Sequence, residues 1–180
     1  MKHFISKSPL DIIALTETKR NEDHIISDMP IGYNWIGKNR ANGLGGGIGF
    51  MYNTATVSVN DNNLLNSMHD ESERLWISVK VGKSALALGV VYFPIDNNTN
   101  CREDAIQLRD ELLTNIAELQ NSYERILLVG DFNGKMSMFK NPNAISFNGE
   151  LMDTFLEATD LHLLNNSDKC TGKVTWSRGP

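Results

Sequence analysis

Cysteine is scarce in this chain. Cys101 and Cys170 are too few and too far apart for a disulfide scaffold or a structural zinc site, and both read as free thiols. No long apolar run is present either. Met1 and Lys2 lead into no sustained hydrophobic stretch, so neither a secretory leader nor a membrane span is expected. Basic charge is not in excess: 17 Lys and Arg stand against 22 Asp and Glu, a formal net charge of -5. That balance disfavours a protein that coats nucleic acid by neutralising phosphates, while a carboxylate-lined metal site or a local basic groove fits an acidic total. What remains is ordinary globular composition. An apolar share of 41% and a charged share of 22% over 180 residues support one buried core and exclude wholesale disorder. No internal repeat or linker divides the chain, so a single domain over residues 1–180 is expected.

Residues 2–8 read as the end of a helix broken by Pro9. The run from Asp11 to Thr16 is short and nearly continuously apolar, as a strand buried on both faces is, and it delivers Glu17 to its end. Residues 21–28 read as a short helix or turn, and Tyr33 to Ile36 as a strand. The glycine-dense segment from Asn39 to Gly47 leads into a further strand, Ile48 to Tyr52. It lacks the Gly-Lys-Ser/Thr ending of a nucleotide-binding loop, which leaves a flexible hairpin connection or a substrate-facing loop. Strands are expected over Ala55–Asn60, Arg74–Val81 and Ala85–Phe93, the last two joined by a tight turn at Gly82 and Lys83. The period then becomes helical from Arg102 to Gln120, with Ala105, Leu108, Leu112, Ile116 and Leu119 on one side. Arg125–Val129 reads as a buried strand, 149–159 as a helix, Leu161–Leu164 as a short strand, and Thr175–Ser177 as the start of a last one.

Two of the buried-looking strands end in groups suited to a hard cation: Glu17 after the first, and Gly130-Asp131-Phe132-Asn133 after the strand from Arg125. In an extended segment, side chains two apart share a face, so Asp131 and Asn133 can address one site while Phe132 turns into packing. Carboxylates can hold magnesium, and the asparagine amide can donate to a phosphate oxygen or the attacking water. Trp35, Trp76 and Trp176 read as packing residues, and His162 as a structural residue in an apolar run. His3, His24 and His69 have no supporting motif.

Leu15-Thr16-Glu17-Thr18-Lys19, Tyr92-Phe93-Pro94, Gly130-Asp131-Phe132-Asn133 and Thr175-Trp176-Ser177 occur in the order of the motifs of the endonuclease/exonuclease/phosphatase superfamily, which the chain resembles over nearly its whole length. The glycine-rich passage ending at Ile48 is similar to that of the apurinic/apyrimidinic-endonuclease-like domains of non-LTR retrotransposons, which nick target DNA. The resemblance implies an α/β fold, a four-layered α/β/β/α sandwich with two mixed, largely antiparallel sheets. It implies a magnesium-dependent phosphodiester hydrolase, with Mn2+ as a substitute metal, in which Glu17 binds the metal, Tyr92 faces the scissile phosphate, Asp131 orients the nucleophile and Asn133 contacts phosphate. Lys19, Arg20, Lys38 and Arg40 are then candidate phosphate contacts, each equally readable as solvated surface charge.

The chain also departs from the family pattern. It lacks the asparagine of the first family strand, the later Asp-bearing strand and the terminal Asp-His segment, so the expectation is one incomplete domain. A fragment, a degenerate copy, a swapped dimer and an incomplete gene model all remain open. The implied partner is DNA, with a downstream reverse transcriptase in a longer parent protein, self-association or complementation by another chain as further expectations. A nuclear location would follow from retrotransposon origin. Two alternatives stand beside DNA nicking: a phosphodiesterase or phosphatase acting on a small phosphorylated substrate, and a catalytically inactive binding or assembly fragment.

Overall fold

Period-two alternation and one long amphipathic helix account for most of the architecture. In the computed structural model the described residues are 10–19, 29–39, 46–60, 72–138 and 145–166. Strands β1 (Ile12–Leu15), β2 (Tyr33–Lys38) and β3 (Ile48–Asn53) form a wholly antiparallel sheet in the order β1-β3-β2. Strands β4 (Val59–Asn60), β5 (Arg74–Val81), β6 (Ser84–Tyr92) and β7 (Arg125–Asp131) form a second sheet in that order, antiparallel except for the parallel β6–β7 pair. Val81 pairs with Ser84, leaving Gly82 and Lys83 as a two-residue turn in which Gly82 adopts φ 64°.

Helices α1 (Thr99–Gln120) and α2 (Phe147–Glu157) complete the regular elements, with a 3-10 turn at Leu164–Asn166. The parallel pair requires α1, because a chain leaving the end of β6 must travel back along the sheet before β7 can start. The nine residues of β6 extend ~30 Å and the 22 residues of α1 extend ~33 Å, so the return is matched in length. α1 begins at Thr99, three residues before the apolar stripe suggests, because the Asn98 side chain caps it by accepting from the Cys101 amide at 3.0 Å. Ser146 caps α2 in the same way, accepting from the Gly149 amide at 3.2 Å.

The second sheet has two apolar faces. Trp76, Ala87, Val91 and Phe93 pack against Ala105, Leu108, Leu112, Ile116 and Leu119 of α1 and Leu151, Met152 and Phe155 of α2. Leu75, Ile77, Val79, Leu88, Val90 and Tyr92 point the other way, onto Ile48 and Phe50 of the first sheet. The described residues therefore stack as helices, sheet, sheet, and both sheets are open. This overturns the expected four-layered sandwich: two helices are present among the described residues, and both cover the same sheet. Over the first sheet lies the Trp35 indole, on the glycine pair Gly37 and Gly49, where added side chains would overlap its ring. The expectation that both sheets are mixed also falls, since the first is antiparallel throughout.

Two shorter expectations change as well. Of Ala55–Asn60 only Val59–Asn60 is strand, because Asn53 folds the chain into a turn: its side chain accepts from the Ala55 amide at 3.0 Å and its carbonyl from the Val57 amide at 2.9 Å. Leu161–Leu164 forms no strand; Leu161 and Leu163 pack against the helical core, and the 3-10 turn follows. The expected elements at 2–8, 21–28 and 175–177 lie outside the described residues.

Between α1 and the second sheet sits a buried polar knot. Asn115 Oδ1 accepts from Arg74 Nε at 2.9 Å and from Trp76 Nε1 at 3.0 Å, while the Arg74 guanidinium also pairs with Glu111 and Ser72. The charge is thus taken out of water with partners in place. Leu112, fully buried on the same helix face, is the simplest probe of this layer. Leu112→Ala is expected to destabilise the fold by about 2–5 kcal/mol in denaturant unfolding, from lost transfer energy plus the cavity.

Candidate active site

The parallel register places Tyr92 of β6 directly beside Asp131 of β7. Alternation then decides which way they face. Leu88, Val90 and Tyr92 on β6, with Leu127 and Val129 on β7, belong to the inter-sheet cluster, so Tyr92 and Asp131 project toward the first sheet. Gly130 makes this close pairing sterically feasible: its φ is 148° and a side chain there would drive into the Val91 carbonyl. Beyond the strand, Asn133 takes a left-handed φ of 44°. Its amide donates to Asp131 Oδ1 at 3.0 Å and its Nδ2 donates to the Phe93 carbonyl at 2.9 Å. Phe132 turns away into packing against Phe93, with ring centroids 5.8 Å apart.

The first sheet contributes Glu17. β1 pairs with β3 up to Leu15 opposite Gly49, but beyond it the Thr18 amide donates to Gly47 at 3.0 Å and the Lys19 amide to Gly46 at 2.7 Å. The pairing has gained one extra residue on the β1 side. Glu17 absorbs it with a left-handed φ of 54°, the kind of local offset by which a strand end re-aims a side chain. Gly47, at φ 89°, lies where a side chain would overlap Thr18 Oγ1, so this part of the glycine-rich passage serves the strand connection. Glu73 joins the two halves of the site. Its carboxylate accepts from the Gly47 amide at 2.7 Å and its carbonyl accepts from the Tyr92 amide at 2.9 Å.

Four residues singled out by the sequence therefore meet around one hydroxyl. The Tyr92 phenol is pushed up to about 12, first by burial, then by its hydrogen bond to the Glu17 carboxylate and that group's charge; Asp131 adds to the rise and the Asn133 amide opposes it. Tyr92 is thus held as a neutral hydrogen-bond donor at physiological pH. No group of three or more His, Cys, Asp or Glu side chains arranged to hold a metal exists among the described residues. Magnesium is often held by one or two carboxylates, with water and phosphate completing its shell, and the Glu17 carboxylate beside Tyr92 is of the hard-oxygen kind such a sparse donor set uses.

The expected phosphate contacts divide. Lys19 is exposed beside Glu17, with φ 51°, whereas Lys38 Nζ donates to the Ser72 carbonyl at 2.7 Å and thereby braces the segment bearing Glu73. Arg20 and Arg40 lie outside the described residues, as do Cys170 and the Thr175–Ser177 motif. Sequence reasoning missed Glu73 and Asn148. Glu73 looks like one more charge in an acidic loop, and nothing local marks it. Asn148 carries a faint signal, a polar residue followed by glycine at the start of a helix, where Gly149 leaves room for the Lys135 carbonyl.

Residues 1–162 match the Endonuclease/Exonuclease/phosphatase family. The chain belongs to that family. Its association is with phosphoester-cleaving nucleases and phosphatases. No curated protein matches the chain. Among solved structures it is similar to the endonuclease domain of TRAS1, a telomere-specific non-LTR retrotransposon, at 15% identity and a TM-score of 0.62, covering 92% of this chain and 66% of that one. It is similar to the 3′ phosphatase NExo from Neisseria bound to product DNA hairpin, at 16% identity and a TM-score of 0.60, covering 87% and 63%. An AP endonuclease from Archaeoglobus fulgidus follows at 17% identity and 0.56, covering 87% and 63%. The chain spans less than two thirds of the length of each, and at these identities the family likeness is one of fold.

The electrostatics of Tyr92 can be checked directly. Because the folded phenol titrates above its ordinary 10.0, its contribution to stability is complete below that value and is lost as pH rises through about 12. Glu17→Gln removes the charge but not the burial. Ultraviolet difference titration should show the Tyr92 midpoint falling from about 12 toward 10.0 without reaching it; an unchanged midpoint would separate Glu17 from the site.

Proposed function

We propose that this chain is a magnesium-dependent endonuclease hydrolysing DNA phosphodiester bonds, in the manner of retrotransposon target nicking. The observation that carries the reading is the register that sets Tyr92 beside Asp131, with Asn133 bonded to Asp131 and the Glu17 carboxylate near enough to raise the Tyr92 phenol. Glu17 would hold the cation, with Mn2+ as a substitute. When bound, the metal polarises the phosphoryl group and stabilises the leaving alkoxide. Asp131, exposed at the end of β7, orients water and takes its proton. Tyr92 and Asn133 donate toward the non-bridging oxygens as charge develops; a phosphate oxygen competes with Glu17 for the tyrosine proton. Lys19, exposed at the rim, supplies a backbone-phosphate contact that positions the strand without reading sequence. A reverse transcriptase joined in a longer protein, or a second chain completing the site, are the partners consistent with this role.

The net charge of -5 favours a second reading, a phosphatase or phosphodiesterase for a small substrate, because extended DNA contact rewards a basic surface. A similar fold occurs in ANGEL2, a 2′,3′-cyclic phosphatase, at 17% identity and a TM-score of 0.54.

Supercoiled plasmid incubated with the purified chain and magnesium decides between them. The expected result is nicking that a chelator abolishes and that Asp131→Ala reduces by about 10²–10⁴-fold. Nicking that survives in the mutant would remove Asp131 from the mechanism. Turnover of a small phosphodiester without nicking would favour the second reading, and DNA retention without turnover would indicate a binding module.

A further inference from the structure

Asn148 lies in the first turn of α2 and is 1% exposed. Its Nδ2 faces three backbone carbonyls: Pro94 at 2.8 Å, Phe132 at 3.4 Å and Asn133 at 3.4 Å. Pro94 ends the segment that follows Tyr92; Phe132 and Asn133 follow Asp131. One amide thus ties together the segments that follow Tyr92 at the end of β6 and Asp131 at the end of β7. Its Oδ1 meets no donor among the described residues, which a packing role alone would not explain. An apolar side chain would avoid the unpartnered acceptor; what the position uses is the pair of N–H groups. The start of α2 grips the same loop elsewhere: the Lys135 amide donates to Ser146 Oγ at 2.8 Å and the Ser146 amide to the Lys135 carbonyl at 3.1 Å.

We propose that Asn148 is a positioning residue for the hydrolytic site, setting from behind the spacing between the segments that follow Tyr92 and Asp131. This rests on the phosphodiester-hydrolysis reading above for its kinetic part alone. Asn148 is too deeply buried to touch substrate, so its effect falls on the alignment of groups in the transition state rather than on substrate capture.

The test uses Asn148→Ala, which removes the side-chain amide without adding bulk, and Asn148→Asp, which keeps the shape but leaves at most one O–H donor in place of two N–H groups. Each is expected to lower kcat by about 10²-fold with KM unchanged. Amides of Phe93, Asn133 and Lys135 should exchange with deuterium about tenfold faster while those of α1 keep their protection. Wild-type kcat in a folded variant, or a rise in KM alone, would overturn the proposal. Should both variants fail to fold, the side-chain amide protons of Asn148 in the unaltered chain decide it: strong protection from exchange is expected, and exchange as fast as in a free asparagine amide would refute the tether. The exchange measurements require no turnover, so a chain inactive on DNA would sink the nuclease reading without touching them.

Discussion

The parallel pairing of β6 with β7 is the constraint on which the rest depends. It sets Tyr92 beside Asp131, and it exists because α1 returns the chain along nearly the length of β6. A slip of one residue would turn Asp131 toward the helix-covered face of the sheet and set a carboxylate against apolar side chains. Because β7 is apolar on both faces, with Ile126 and Leu128 on one side and Leu127 and Val129 on the other, the Asp131 carboxylate and the glycine-only fit at Gly130 oppose that slip rather than the apolar pattern. Gly130 then permits the close approach at the strand's end where the chemistry gathers.

The site also needs a second sheet, and its alignment is transmitted by backbone. Glu17 is carried by the one-residue offset after β1, and the Thr18 amide is bonded to Gly47, whose own amide is bonded to the Glu73 carboxylate. The Glu73 carbonyl receives the Tyr92 amide, while the next residue, Arg74, is anchored beneath α1 through Asn115 and Glu111. An unbroken run of hydrogen bonds therefore leads from the Glu17 loop to the tyrosine and on into the core. Such a rigid scaffold suits chemistry that depends on placing charge rather than on large motions.

Much of this was legible in the residues. The apolar runs and the tight turn at Gly82 and Lys83 marked β5 and β6, the buried-looking run from Arg125 marked β7, the stripe from Ala105 to Leu119 marked α1, and the Asp-x-Asn spacing with Phe132 between pointed to the end of β7. The left-handed turn at Asn133 modifies that picture, since its side chain leaves the strand geometry and braces Phe93. The offset at Glu17 was hidden because an ordinary glutamate, not a glycine, takes the positive φ. Glu73 and Asn148 were hidden because their partners are backbone groups far away in sequence, which no local pattern records. The four-layer expectation failed because both helices among the described residues pack on the same sheet, which the helical stripes alone do not reveal.

In the proposed mechanism, residues from two sheets form one cation-binding hydrolytic site. Paramagnetic Mn2+ titrated into the isotopically labelled chain tests it most directly, because broadening falls steeply with distance from the bound ion. Signals of Glu17, Tyr92, Asp131 and Asn133 are expected to broaden together at low Mn2+, and Glu17→Gln is expected to abolish the effect. Broadening confined to one sheet, or spread over scattered surface carboxylates and indifferent to Glu17→Gln, would contradict it.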